Sequence, residues 1–307
     1  MQNYGSKFKI FSGLNINRII LIAGIAAGAL LIAFLFWWQG WTKVIGVTNE
    51  PKTENKPVAS LTGLVCENYA KRPIAVMMAS DPVARPLSGI SQADVVVEMP
   101  VTPNGITRMM AVFQCDNPFD PAQGKPDEIG SIRSARDDFL TLVKSFGAIY
   151  AHWGGEREAL NKLDDGVLDN IDAMKYEGTV FYRKNSVPRP HNGFTDLNKL
   201  FDISNKLGYK TEDNFAGYLR ESNEPSLGRN LNNLVETITI DYENPYNIRW
   251  TYDNDSGVYK RARGGEAETD RNTGKQVETN IVVLMRTTSR VLSRDYITVN
   301  TAGEGEA

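Results

Sequence analysis

Apolar positions follow three different patterns along the chain, and each predicts a different kind of structure. The first is continuous: Ile19 to Trp38 (IILIAGIAAGALLIAFLFWW) holds no charged side chain. As a helix rising about 1.5 Å per residue it would reach roughly 30 Å, the thickness of a bilayer hydrocarbon core. Trp37, Trp38 and Trp41 fall where an interfacial aromatic belt would lie, with Lys43 beyond them. A cleavable signal peptide has an apolar region of about 7 to 15 residues and then a small-residue cleavage site. Here the run ends in Phe-Trp-Trp-Gln-Gly-Trp and no cysteine follows that could be acylated, so it reads as a retained anchor. Lys7, Lys9 and Arg18 precede it, and Lys43, Lys52 and Lys56 follow with Glu50 and Glu54 among them. The bias is slight because the positive-inside rule counts only basic residues, so the cysteine pair Cys66 and Cys115 also enters the topology. The expected topology is a short cytoplasmic tail (1–18), a single transmembrane helix (19–38) and the bulk of the chain outside the cell membrane.

The second pattern starts after a polar, proline-containing stretch (TNEPKTENKPVAS), which closes a linker over residues 39–60. Short apolar runs at Ile74–Met78, Ala93–Met99 and Ile106–Gln114 read as strands. The period then lengthens: Ala135, Phe139, Leu142, Val143 and Phe146 share one helical face, which predicts a helix over Arg133–Phe146 with Ser131 or Ser134 at its N-cap. A strand at Ala148–His152 follows, then helices at Glu156–Leu163 and Thr195–Leu207, the last stopped by Gly208. This alternation predicts an α/β domain over 61–210, a mixed sheet with helices on its faces. In the third pattern Thr, Ile, Val and Tyr alternate in VETITIDY, NIRWTYD, GVYKRARG and NIVVLMRT, which predicts a β-rich domain over 211–307.

Composition narrows the function. A net charge of -3, with 23% charged residues and 9% aromatics, excludes both a basic nucleic-acid binder and a disordered acidic tail. Cys66 and Cys115 are the only cysteines. An even pair behind an export-type anchor suits a disulfide in an oxidising compartment, and two buried free thiols are the alternative.

Candidate chemistry concentrates between Arg85 and Asn192, where ionisable residues sit among glycines and prolines. In GSIRSAR (130–136), Arg133, Ser134 and Arg136 surround the predicted helix start, where free amides and forked guanidinium groups favour an anion. The two histidines of the chain fall in AHWGG and RPHNGF. His152, at the end of a strand, and His191 are therefore the candidate proton carriers, with Gly154, Gly155, Arg189 and Asn192 as candidate ligand contacts. Surface ion pairs and a hydrogen-bonded structural histidine are the plain alternatives. Two histidines without further ligands at metal spacing point to no metal, and nothing points to a cofactor. Asp94 and Glu98 share a strand face, and Asp137 and Asp138 suit a helix N-terminus.

The run RPIAVMMASDPVARPLSGISQADVVVEMPVTPNGITRMMAVFQ, then IGSIRSAR, AIYAHWGG and RPHNGF, resembles the N-terminal domain of the YerB-like bacterial lipoproteins, a family of unassigned function. GVYKRARGGEAETDRNTGKQVETNIVV resembles that family's C-terminal domain. The resemblance implies a secreted, membrane-attached protein of two domains, here with a helical anchor in place of an acylated cysteine and with the C-terminal domain cut short. Three functions follow as expectations: a cell-envelope module binding a phosphate- or sugar-acid-bearing ligand through Arg133, Arg136 and Arg189; an envelope hydrolase or phosphotransferase using the same arginines with His152 or His191; or a scaffold docking another protein. The sharpest expectation is that Arg133, Arg136, His152, Arg189 and His191 line one cleft.

Overall fold

The computed structural model describes residues 57–66, 68–103, 105–115, 128–218, 234–293 and 296–301, with parts of a helix between 30 and 37. The chain divides into two compact units, Met1–Asn55 and Lys56–Ala307. In the first, Leu30, Leu31, Phe34, Leu35 and Trp37 are helical and exposed. Among the described residues no helix is long and apolar enough to cross a membrane. Most of the expected span at 19–38 lies outside the described residues, as do the expected tail at 1–18 and most of the linker.

In the second unit the first half of the chain runs through β1 (Ile74–Ala79), β2 (Val95–Pro100), β3 (Thr107–Phe113), β4 (Ile129–Gly130), α1 (Asp137–Ser145), β5 (Ile149–His152) and α2 (Arg157–Asp164). It continues through β6 (Asn170–Asp172), α3 (Ala173–Tyr176), β7 (Tyr182–Arg183), β8 (Gly193–Thr195) and α4 (Leu197–Lys206). The main sheet has the order β2-β3-β1-β5-β6. β3 is antiparallel to β1 and β2, while β1, β5 and β6 are parallel. β1 is apolar and buried at every position because layers cover both faces of the sheet. On one face Ala75, Met77, Met110 and Tyr150 pack with Phe139, Leu140 and Val143 of α1 and Ala159 and Leu163 of α2. The other face packs Val76, Met78, Met109 and Ile149 against Leu200 and Phe201 of α4, Ile129 of the small sheet β4-β8-β7 and Phe181 just before β7.

The remainder forms β9 (Thr237–Ile240), β10 (Ile248–Asp253), β11 (Val258–Arg263), β12 (Glu266–Ala267) and β13 (Glu278–Thr279), then a hairpin of β14 (Ser289–Val291) and β15 (Ile297–Val299). β12-β11-β10-β9 is an antiparallel sheet, with β13 added on β11. The hairpin packs separately on the α/β part: Asp138 of α1 accepts from the Thr298 hydroxyl (2.6 Å) and the Val299 amide (2.8 Å).

Three expectations change. Residues 57–60 belong to the fold, with Ala59 wholly buried and the Ser60 hydroxyl donating to Gln114 at 3.3 Å. NIVVLMRT is not a strand: the Thr279 hydroxyl bonds the Ile281 main chain where the pairing ends, and 281–288 takes no regular secondary structure and is mostly exposed. The first helix starts at Asp137 instead of Arg133, for a reason that lies in the site.

Candidate functional site

β1 and β5 pair from Ile74 and Ile149 to Val76 and Ala151 and then part. Residues 131–135 run extended through the gap. On one side the Ala79 amide donates to the Ser131 carbonyl and the Arg133 amide to the Met77 carbonyl, both at 2.9 Å. On the other, the Trp153 amide donates to the Arg133 carbonyl (3.0 Å) and the Ala135 amide to the Gly154 carbonyl (2.9 Å). Ladder bonds on both sides use the backbone groups that a helix would need, which delays α1. Neither Ser131 nor Ser134 caps it. The Ser131 hydroxyl donates to the His191 carbonyl, and the first helical amide, Asp137, donates to Glu156 Oε1 at 2.6 Å. Gly155 is required for the wedge to fit, since a Cβ there would stand 2.9 Å from the Ala135 Cβ.

The wedge opens a crevice at the carboxyl ends of β1 and β5, where parallel sheets present ligand groups. Asp81 follows β1, Arg108 is the second residue of β3, Arg133 comes from the wedge, His191 precedes β8, and Tyr246 comes from the turn before β10. Arg108 Nη1 donates to Asp81 Oδ2 at 3.0 Å, and the Tyr246 hydroxyl donates to Asp81 Oδ1 at 3.3 Å. His191 Nδ1 lies 3.7 Å from Asp81 Oδ2, and Arg133 Nη1 donates to the Pro190 carbonyl at 3.3 Å. Arg136 reaches Glu156 Oε2 at 3.5 Å and lies 5.1 Å over the Tyr296 ring.

Positive charge is in excess here. Burial pushes Arg108 down to about 10, Asp81 opposing and Arg133 and Arg136 reinforcing the shift. Arg133 is lowered by burial against Asp81, with Arg136 adding to the fall. Burial also lowers His191, with Asp81 opposing and Arg133 and Arg108 reinforcing, so its imidazole is neutral at pH 7. Nε of Arg108, of Arg133 and of Arg136 is buried without a hydrogen-bond partner among the described residues, as is His191 Nδ1. Arg108 as a whole is only 5% exposed. Glu156 and Tyr296, which flank Arg136, also line a cleft of about 220 Å³ between α1, α2 and the β14–β15 hairpin. A larger cleft of about 480 Å³ continues from Asp137 and Asp138 along the hairpin.

The other expected site residues are placed elsewhere. His152 is fully buried, with Nδ1 2.8 Å from the Gly154 carbonyl, Nε2 3.2 Å from Asn170 Oδ1, and its ring 5.1 Å from that of Tyr150. It ties the turn after β5 to β6, with an acceptor oxygen beside each ring nitrogen. Gly154 takes φ +57°, and its amide donates to Asp172 at 2.8 Å. Asn192 accepts from Arg183, whose guanidinium covers the Trp153 ring at 4.1 Å. Arg189 is exposed, and its side chain makes no hydrogen bond or ion pair among the described residues; Ser134 is half-buried and likewise makes none. Of the five residues expected in one cleft, Arg133 interacts with both Arg136 and His191, His152 is held by partners of its own, and Arg189 directly precedes Pro190, whose carbonyl accepts from Arg133, with its own side chain exposed. Among the described residues no three His, Cys, Asp or Glu side chains gather as metal ligands. His152→Ala is expected to cost about 1–3 kcal/mol of stability in urea denaturation, because buried polar partners lose their bonds, and to leave anion binding by the folded fraction unchanged.

Asp81, Arg108 and Tyr246 were not singled out in the sequence. Arg108 gave one signal, a charge inside the apolar run TRMMAVF. A second ionic cluster was also missed. Arg263 binds Glu98 through two bonds of 2.6 and 2.7 Å and Glu268 at 3.1 Å. Arg261 pairs with Glu98 and, at 2.8 Å, with Glu268, and Thr107 donates to Glu98. Their side chains are buried where the C-terminal sheet meets β2 and β3. Arg-Ala-Arg at 261–263 was its trace, since strand alternation puts both arginines on one face. Asp94, by contrast, accepts from the amides of Gln114 and Cys115.

The chain matches family models over most of the second unit. Residues 61–210 match the model described as "Protein of unknown function (DUF3048) N-terminal domain", and residues 238–307 match the corresponding C-terminal domain. It is 30% identical over 250 residues to "Putative lipoprotein YerB" of Bacillus subtilis (strain 168), covering 80% of this chain and 72% of that protein. A crystal structure of YerB protein from Bacillus subtilis is similar with a TM-score of 0.66 at 29% identity, covering 79% of each chain.

Proposed function

We propose, from the premise that this chain belongs to the DUF3048 family of proteins of unknown function, that it is a membrane-attached cell-envelope module binding an anionic group at Arg108, Arg133 and Arg136. The relative's lipoprotein name supports attachment to a membrane, and the apolar run at 19–38 supplies a transmembrane anchor as its means here. The Cys66–Cys115 disulfide, with Cα atoms 5.7 Å apart, favours an extracytoplasmic compartment.

One observation carries the binding reading. Arg108 and Arg133 stand about Asp81 with Arg136 close to both, and each arginine has a buried N–H with no acceptor among the described residues. An unsatisfied buried donor costs about 1–3 kcal/mol, so the arrangement gains by taking in oxygens from outside. A phosphate or carboxylate provides them with matching charge. The unpartnered Nδ1 of His191 favours an enzyme as the second reading, because a neutral imidazole beside bound anion can take up a proton.

Calorimetric titration of the full chain with inorganic phosphate, pyrophosphate and glucuronate tests this. Binding should weaken about 10- to 100-fold in Arg133→Ala, the loss of one or two charge-assisted hydrogen bonds, with the melting temperature little changed because among the described residues that side chain donates only to the Pro190 carbonyl. An equal affinity in Arg133→Ala and the parent, or no heat with any anion, sinks the proposal. Turnover of a phosphate ester that is lost in His191→Asn while binding persists would make it an enzyme.

A further inference from the structure

His191 is buried beside the arginines, with its Nδ1 3.7 Å from Asp81 Oδ2. Neither ring nitrogen has a hydrogen-bond partner among the described residues. Asp81 keeps lone pairs free, since it accepts one bond from Arg108 and one from Tyr246. The charges that face the imidazole are those of Asp81, Arg133 and Arg108. The Tyr246 phenol is uncharged, because burial and then Asp81 raise its pKa. Arg136 lies close to both arginines, and Glu156 at 3.5 Å offsets it. Asp137 and Asp138 have partners of their own, Lys162 and the β14–β15 hairpin. Two arginines against one carboxylate leave a single positive charge in excess beside His191, which an imidazolium would double.

We propose that the site selects a dianionic tetrahedral group, the terminal phosphate of a monoester, and that His191 makes the selection by taking a proton from solvent as the group binds. The inference rests on the anion-binding reading and narrows its ligand from phosphate or carboxylate to a phosphate monoester. An anion held by Arg108 and Arg133 shares the imidazole with Asp81. In either neutral tautomer one ring nitrogen then turns a lone pair toward negative charge, whereas the imidazolium donates from both. Before binding, burial and the two arginines keep the ring neutral at pH 7, so the proton has to arrive with the ligand. A phosphodiester or a carboxylate brings one negative charge, which balances the excess while the imidazole stays neutral. A dianion leaves one charge over, and the imidazolium meets it with two charge-assisted hydrogen bonds.

The test compares methyl phosphate with dimethyl phosphate at pH 8, where the first is a dianion and the second a monoanion. Calorimetry of the full chain in buffers of different ionisation enthalpy counts the protons. Methyl phosphate should bind with uptake of about one proton, and its affinity should fall about tenfold for each pH unit above neutrality. Dimethyl phosphate should bind about tenfold more weakly at pH 7 and take up none. His191→Asn should remove the uptake and the pH dependence together. Carbon NMR of the parent reads the same event without a variant, because the chain has two histidines: His191 should become an imidazolium with methyl phosphate while His152 does not change. Methyl phosphate bound without proton uptake, uptake that survives in folded His191→Asn, a His191 ring that stays neutral, or equal affinity for the two esters overturns the inference and leaves the anion-binding reading in place. No heat with either ester or with inorganic phosphate, pyrophosphate or glucuronate removes that reading, and the inference with it.

Discussion

Glu98→Gln should lower the unfolding free energy by about 3 kcal/mol at pH 7, because it leaves two buried arginines with one carboxylate fewer than they need. Burial alone would raise the pKa of Glu98. The charges of Arg263 and Arg261, with hydrogen bonds from Arg263 and Thr107, outweigh it and hold the group at about 2, below its ordinary 4.5. The folded state therefore binds this proton more weakly than the unfolded state does. The contribution is complete above about pH 4.5 and is lost as pH falls toward 2. Urea denaturation between pH 7 and pH 2.5 measures both effects: the parent should lose this increment in acid, and the Gln variant should lack it at every pH. A variant as stable as the parent at pH 7 would mean that the cluster is neutral to folding.

Cys66→Ser with Cys115→Ser is expected to cost about 4 kcal/mol, the chain-entropy value for a bridge between residues 49 apart. The bond pins the entry segment to the end of β3, where Gln114 also holds it. Gln114 accepts from the Leu61 amide at 3.2 Å and donates to the Tyr69 and Lys71 carbonyls, each at 3.1 Å. Denaturation of the parent with and without reductant should show the same loss as the double variant. A difference below about 1 kcal/mol would mean that the Gln114 bonds hold the segment unaided.

The strands were legible wherever burial on both faces made them continuous apolar runs, as in β1 and β3, and wherever alternation was regular, as in β10 and β11. α2 and α4 were legible from their period and flanking residues, with Asp196 accepting from the Lys199 amide at the start of α4. GSIRSAR was misread because its apolar spacing is that of a helix continued backwards. The partners that hold it extended are the Met77 and Gly154 carbonyls, distant in the chain. NIVVLMRT was misread for the converse reason. Its residues suit a strand, and a strand also needs a neighbour.

By itself the sequence determined the local preferences: the apolar run at 19–38, the order of strands and helices, the single cysteine pair, and the presence of arginines and histidines among structure breakers. Each depends on residues close together in the chain. Only the tertiary structure decided which charges meet. It placed Arg108 and Arg133 about Asp81, set Arg261 and Arg263 against Glu98, and buried His152 among hydrogen-bond partners. The physical reason is that electrostatic and hydrogen-bond energies depend on distance in space, and the packing of the C-terminal sheet against β2 and β3 brings together residues such as Glu98 and Arg263 that lie 165 positions apart.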